Sequence, residues 1–211
     1  MWKHLPLASV AAAASFVAPV ANADLVTYTD RTMWETAAGG SPSINVNFDS
    51  YGTDTALPED VGPFTIEVFG GSGGSRIDAP PLELDVNGTT NLRMFFNADT
   101  DQGVTLTFDT LVFSWGADVR FDVPGGVTVT AGHDMMVTLP QTATQAAEFR
   151  GFVSDTPFTD LTFKAFFQIT TGTFQAGVDN VSAHAIPEPP SFLFAMLAGS
   201  CCWLGRRWLG C

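Results

Sequence analysis

The chain has 211 residues and a net charge of −13, from 22 acidic and nine basic side chains. Three basic residues, Lys3, Arg206 and Arg207, lie near the ends, and every acidic residue lies between Asp24 and Glu188. This distribution argues against a nucleic-acid partner, because phosphate binding needs clustered Lys and Arg. The 18 Phe side chains and an apolar content of 45% argue against a disordered chain and supply a core for one domain of ordinary size.

Residues 1–23 predict a secretory signal peptide, a terminal signal helix that is removed on export. A positive start precedes an apolar, Ala-rich run over 5–20. Ala21 and Ala23 then present the small side chains that signal peptidase requires at two positions. A retained transmembrane helix is the alternative, but two prolines and the weak hydrophobicity of alanine argue against it. We therefore expect the mature chain to begin at Asp24 and signal peptidase to be a partner.

Short strands separated by turn residues dominate residues 24–182. The β-branched, alternating stretch Leu25–Thr29 predicts a strand, and Asp30 then resembles the N-cap of a short helix that ends at Gly39 and Gly40. Further candidate strands are 44–48, 64–69, 92–97, 104–108, 112–115, 118–122, 127–130, 135–139, 148–153, 161–169 and 173–181. This pattern predicts an all-β fold, a single antiparallel, jelly-roll-like β-sandwich domain.

The composition changes abruptly after the predicted domain. Residues 183–190 predict a short linker that carries a Pro-Glu-Pro motif, since prolines disfavour helix formation and favour an extended chain. Residues 191–211 predict a hydrophobic helix with a basic end. Its uncharged part, 191–205, would span about 22 Å as a helix, short of the roughly 30 Å hydrocarbon core. Because arginines favour the cytoplasmic side, this tail predicts a temporary anchor that leaves the domain outside the inner membrane.

The tail resembles a known sorting signal. Pro187-Glu188-Pro189, the apolar run and the pair Arg206-Arg207 are similar to the PEP-CTERM signal of Gram-negative bacteria. The resemblance implies a membrane-embedded exosortase as a partner, followed by export, often into an envelope or matrix rich in extracellular polysaccharide. The chain departs from the family pattern in its short apolar run, which two cysteines interrupt, and in having only two arginines.

The domain is also similar to the β-rich ectodomains that often carry this signal. The similarity lies in 104–109, 115–118, 149–158 with 161–163, and 177–181. Those ectodomains mostly have no assigned activity, so the resemblance implies architecture and export and does not imply a reaction.

Two carboxylates are candidates for a structural calcium site. In jelly-roll sandwiches of the carbohydrate-binding type, an acidic residue on an early strand and one on the last strand often share a calcium ion, and the chain is similar at Asp49 and Asp179. All the cysteines lie in the tail, so the domain has no disulfide, and such an ion would join its two ends. The alternative is that both are plain turn or edge-strand carboxylates, since two carboxylates alone do not complete calcium coordination.

Other motifs favour ordinary structural roles. The segment 97–103 alternates oxygen ligands, but its Gly is displaced and the twelfth position of such a loop is Phe108, so an EF-hand is excluded and an acidic turn is favoured. The G-x-S-x-G match around Ser72 lacks a following helix, which favours a flexible hairpin loop over a hydrolase. A catalytic His133 would need a nucleophile and an orienting carboxylate nearby, and an exposed turn histidine is favoured. Aromatic residues such as Trp34 and Trp115 would stack on sugars or, more often, fill the core.

The sequence therefore predicts a non-enzymatic, exported envelope or extracellular-matrix protein with a structural or adhesive role. A calcium-dependent carbohydrate-binding module is the alternative, and a secreted hydrolase is the remote one, because no catalytic triad, carboxylate pair or metal cluster stands out. We expect no cofactor other than a structural calcium ion.

Overall fold

The structure is a computed structural model that describes residues 25–52, 54–70, 74–79, 86–97, 101–123, 125–142, 146–165 and 173–187. The predicted signal peptide, with Ala21 and Ala23, lies outside these residues, as does the tail from Glu188 onward, with Pro189, Arg206 and Arg207. None of the helices in the described part of the chain is long and apolar enough to cross a membrane.

The described residues form twelve strands and one helix. In chain order these are β1 (Leu25–Tyr28), α1 (Arg31–Ala37), β2 (Ile44–Val46), β3 (Thr55–Ala56), β4 (Glu59–Asp60), β5 (Phe64–Phe69), β6 (Arg76–Asp78), β7 (Asn91–Asn97), β8 (Gly103–Asp122), β9 (Val127–Ala131), β10 (Met135–Leu139), β11 (Glu148–Ala165) and β12 (Thr173–Ala185). All strand pairs between them are antiparallel. The prediction of an antiparallel all-β fold is confirmed.

The short helix α1 forms where the sequence predicts it. The Asp30 side chain accepts a hydrogen bond from the backbone N–H of Met33 at 2.8 Å, which is the N-cap contact that starts a helix. The chain leaves the helix through Gly39 and Gly40, whose φ angles of 90° and 133° suit glycine. Trp34 is the buried residue of the helix, so α1 is held by one large side chain.

Two long strands replace five of the predicted short ones. Residues 103–108 of β8 pair with β5 on one side and with the end of β11 on the other, whereas 112–122 pair with the start of β11 and with β12. The β8–β11 register shifts between Val153 and Asp160. Irregularities of this kind allow a strand to pass from one layer to another. The turn-like composition of 109–111 concealed this continuity in the sequence.

The long strands connect two groups of strands around one core. One group runs β10-β9-β11-β8-β5-β4, and the other runs β1-β11-β8-β12-β7-β6-β3 with β2 also on β12. The Trp115 ring in the second group lies 5.4 Å from the Phe163 ring in the first and 5.9 Å from Phe152. The buried apolar residues of both groups form a single cluster. This arrangement is consistent with a β-sandwich.

The last strand extends beyond the predicted domain end. β12 continues to Ala185, three residues into the predicted linker 183–190, and both Ala183 and His184 are buried. The strand persists because β8 and β2 pair with its two edges and the alternation of side chains continues. The two- and three-residue strands β3, β4 and β6 were not predicted, since so short a segment carries no periodic signal.

Candidate functional site

Helix α1 rests on the outer face of the β8–β11 pair. Trp115 and Ala117 point into the core, so Gly116 between them lies on the opposite, outer face, directly across from Gly151. The two glycines make room for aromatic rings, since a Cβ at Gly116 would lie 2.6 Å from the ring of Phe149 and 3.1 Å from that of Trp34. This close approach sets α1 against the sheet.

Docking of α1 carries Arg31 to Asp118, the next outward-facing residue of β8. The Arg31 guanidinium donates to Asp118 Oδ1 at 3.0 Å. Asp118 Oδ2 accepts from the side-chain amides of Asn87 at 3.0 Å and Asn180 at 2.8 Å. Asp118 therefore joins α1, β8, the turn after residue 86 and β12 in one polar network.

A polar pocket opens beside this network. Its volume is about 420 Å³, within the usual size of ligand pockets. The described residues that line it are Arg31, Asn45, Val46, Asn47, Asp118, Asn180, Val181 and Ser182. Ser182 donates to Asn45 Oδ1 at 2.9 Å and accepts from Arg31 at 3.2 Å. We call this cavity the Asp118 pocket. It can exchange many hydrogen bonds with a ligand, and no aromatic ring is among the described residues that line it.

The predicted calcium ligands Asp49 and Asp179 lie close together next to the pocket. Asp179 is only 1% exposed, and it accepts from the Thr89 hydroxyl at 2.6 Å and from the backbone N–H of Asn180 at 2.7 Å. Burial raises the pKa of Asp179 above its usual value, and the Asp49 carboxylate raises it further. Hydrogen bonds from Thr89 and from the backbone of Asn180 and Phe48 oppose that rise in pKa.

These two carboxylates meet only part of what calcium requires. A calcium ion takes six to eight oxygen ligands. Among the described residues there is no group of three or more His, Cys, Asp or Glu side chains that could hold a metal ion. An ion at Asp49 and Asp179 would therefore need backbone carbonyls and water as well, and the calcium site stays a prediction.

No other described sequence candidate is among the described residues that line the pocket. His133 is exposed in the turn between β9 and β10, whereas Ser72 and residues 98–100 of the acidic segment lie outside the described residues. Pro187 is exposed just beyond β12. Trp34 and Trp115 are fully buried, so they belong to the interior and are not available for sugar stacking.

One serine and one histidine, Ser114 and His184, are in contact, but both lie in the interior. Ser114 Oγ lies 2.7 Å from Nδ1 of His184, and both residues are buried. Nε2 of His184 lies 2.8 Å from the carbonyl oxygen of Gly40. Because a carbonyl only accepts, Nε2 carries a hydrogen and the ring is oriented by backbone and not by a carboxylate. The pair ties β12 to β8 and to the end of α1.

Sequence reasoning missed the Asp118 pocket. Its contacts join residues far apart in the chain: Arg31 and Ser182 are separated by 151 positions and Arg31 and Asp118 by 87. No local motif marks such a site. The nearest signal is the run of outward-facing glycine and aspartate at Gly116 and Asp118, which departs from the apolar alternation of β8.

No known family model matches this chain, and no curated protein matches it. A solved structure of a mutant family 29 carbohydrate-binding module, from a study of ligand recognition, is similar to it at 13% sequence identity and a TM-score of 0.36. The match covers 65% of this chain and 94% of that one. A TM-score this low bears on neither the fold nor the function of this chain.

Proposed function

We propose that this chain is an exported envelope or extracellular-matrix protein with a structural or adhesive role and no catalysis of its own. Signal peptidase would remove residues 1–23, and an exosortase-like enzyme would process a tail of the PEP-CTERM type. The main support is the position of Pro187 beside the last described strand, β12, which ends at Ala185. The backbone N–H of Ile186 donates to the carbonyl of Leu111 at 2.9 Å, and the exposed Pro187 follows directly.

The position of the last strand supports a tail that can be removed. β12 is paired on both edges up to Ala183, and the described apolar core is built from residues between Ile44 and Ala183. We infer that these strands form one jelly-roll-like sandwich that keeps its core when the chain is cut after Ile186. Such a domain would remain folded after sorting without any disulfide.

The buried groups support a non-catalytic role. Ser114 has no exposed surface, and the ring nitrogens of His184 are both occupied, by Ser114 and by the Gly40 carbonyl. A serine nucleophile must reach its substrate, and its histidine must be free to move a proton. The pair meets neither requirement.

Fractionation of the native host tests the sorting proposal. Glu188→Ala changes the motif, and Glu67→Ala, on the exposed side of β5, is the matched control. We expect the Glu188 variant to accumulate uncut in the membrane and the Glu67 variant to be released like the wild type. Equal release of both variants would contradict recognition of the Pro-Glu-Pro motif.

A calcium-dependent carbohydrate-binding module is the second candidate, and the Asp118 pocket beside the buried Asp179 favours it. Binding of the full chain to a glycan array, with and without a calcium chelator, tests it. Glycan binding that is lost on chelation supports this candidate, and an array without any bound glycan contradicts it.

A further inference from the structure

Among the described residues that line the Asp118 pocket, one side chain is acidic and one is basic, and they pair with each other. Arg31 and Asp118 lie 3.0 Å apart, with their side chains 33% and 22% exposed. A free anion entering the pocket would meet the Asp118 carboxylate, and a free cation would meet the Arg31 guanidinium. An uncharged ligand meets neither repulsion. Because the two charges cancel, these side chains give a charged ligand no net attraction.

We propose that the Asp118 pocket binds a neutral carbohydrate through its hydroxyl groups. The proposal rests on the carbohydrate-binding candidate above, and it adds where the ligand binds and what charge the ligand has. It does not require calcium to touch the sugar, because Asp49 and Asp179 do not line the pocket.

The pocket keeps hydrogen-bonding capacity for a ligand. A guanidinium has five N–H donors, and Arg31 uses one on Asp118 and one on Ser182. A carboxylate has about four acceptor positions, and three donors occupy those of Asp118. The Asn47 side chain makes no hydrogen bond to the described residues, and the Asn180 side chain uses only its amide nitrogen there, on Asp118, so its side-chain oxygen remains available.

These remaining groups match hydroxyls better than other chemistries. A hydroxyl donates one hydrogen bond and accepts two, so neighbouring hydroxyls of a sugar need donors and acceptors side by side. Arg31 supplies donors, Asp118 and the Asn180 carbonyl supply acceptors, and the Asn47 amide supplies both. An apolar ligand would leave these groups unpaired, which is costly.

The pocket is held in shape before any ligand arrives. The Arg31 guanidinium lies 4.6 Å from the centre of the Phe149 ring, and Phe149 packs on Trp34 at 5.5 Å. Ser182 connects Arg31 to Asn45. Fixed side chains lose little conformational entropy on binding, which favours affinity. Because no aromatic ring is among the described lining residues, we expect the ligand to bind through hydrogen bonds to its hydroxyl groups and not by stacking.

Nuclear magnetic resonance on the ¹⁵N-labelled full chain tests the assignment. The chain is kept in a zwitterionic detergent, because a sugar-based detergent would supply competing hydroxyls. The probes are the methyl glycosides of glucose, galactose, mannose and rhamnose, with methyl glucuronoside and inorganic phosphate as charged counterparts. We expect at least one neutral glycoside to shift the side-chain amide signals of Asn47 and Asn180. Shifts from the charged probes alone, or no shift with any probe, would overturn the proposal.

Two variants separate the pocket from carbohydrate binding in general. Asn47→Ala removes a side chain with no described hydrogen bond, so folding is unaffected, and we expect about fivefold weaker binding, the effect of one hydrogen bond. Asp118→Asn should weaken binding more, with Asp122→Asn, exposed on the same strand, as its control. If a glycan binds the wild type and the Asn47 and Asp118 variants equally well, the assignment of the binding site to this pocket is wrong, while the carbohydrate-binding candidate stands. If no glycan binds the wild type, both fail.

Discussion

Asp118 and Asp179 lie directly opposite each other on the antiparallel strands β8 and β12. Like charges in that position repel each other, and the surroundings treat the two carboxylates differently. Asp118 is partly exposed and pairs with Arg31, whereas Asp179 is buried and accepts from the Thr89 hydroxyl and the Asn180 backbone. Asp118 thus keeps a charged partner at the pocket, whereas burial and the Asp49 carboxylate raise the pKa of Asp179.

Asp179 should make the stability of the protein depend on pH. Burial, and then Asp49, raise the pKa of Asp179 in the folded state above its usual value of 3.8. Its contribution to stability is fully present below 3.8 and is lost as the pH rises through the higher folded pKa. The change Asp179→Asn should remove this pH-dependent loss of stability, because an amide carries no charge. The introduced amide can donate to Thr89 Oγ1 while the Thr89 hydroxyl donates to the Val86 carbonyl, 3.1 Å away.

Urea unfolding at a series of pH values measures this effect. The difference in free energy of unfolding between wild type and Asp179→Asn should grow in favour of the variant as the pH rises above 3.8. Asp122→Asn, an exposed change on β8, should show no such trend. Parallel pH profiles for the wild type and the Asp179 variant would contradict this role of Asp179.

If calcium binds at Asp49 and Asp179, it should offset the repulsion between these two carboxylates. A ligand that binds only the folded state raises its stability, so added calcium should raise the Tm of the wild type. Asp179→Asn should lose most of that increase, and Glu67→Gln, on the exposed side of β5, should keep it. An unchanged wild-type Tm on addition of calcium and of chelator would leave the two residues as plain carboxylates.

Trp34 should account for most of the docking energy of α1. It is fully buried, its indole N–H donates to the Phe152 carbonyl at 3.1 Å, and it touches the rings of Phe149 and His184. Trp34→Ala should lower the free energy of unfolding by about 3–5 kcal/mol. Met33→Ala, at an exposed position of the same helix, should change it by less than about 0.5 kcal/mol. Similar effects of both changes in denaturant unfolding would show that α1 is not held by Trp34.

Alanine substitutions at Gly126 and Gly62 distinguish the cost of a positive φ angle from the cost of a steric overlap. Their φ angles are almost equal, 93° and 95°, but a Cβ at Gly126 would overlap the Leu139 carbonyl, whereas one at Gly62 would meet nothing within 4 Å. Gly62→Ala should cost about 1 kcal/mol of stability for its positive φ. Gly126→Ala should cost about 1–3 kcal/mol more because β10 must move. Thermal unfolding of both variants checks this, and equal losses would contradict the close approach at Gly126.

The sequence predicts those features that depend on neighbouring residues. Asp30 and the glycine pair mark both ends of α1, and the alternation of Phe64 and Ile66 identifies the buried face of β5. Features that depend on distant contacts were missed or misplaced. The turn-like segment 109–111 is extended because it continues directly between the paired stretches 103–108 and 112–122 of β8. His184 is buried because its two ring nitrogens contact Ser114 and the Gly40 carbonyl.

The residues of the candidate site also differ in how far the sequence could predict them. Asp49 and Asp179 were picked out by their similarity to jelly-roll sandwiches of the carbohydrate-binding type, and the calcium site there stays a prediction. The Asp118 pocket could not be picked out, since it exists only after the glycines of β8 and β11 admit Trp34 and Phe149 and so place Arg31 over the sheet. Its polar residues come from four separate segments, each of which resembles an ordinary turn or strand.

We propose that the chain beyond the last described strand, which ends at Ala185, is a sorting tail that is cut after export. Intact mass spectrometry of the protein from the membrane and medium fractions of the native host tests this claim most directly. We predict that the exported protein begins at Asp24 and ends between Pro187 and Pro190. A protein in the medium that still ends at Cys211 would contradict it.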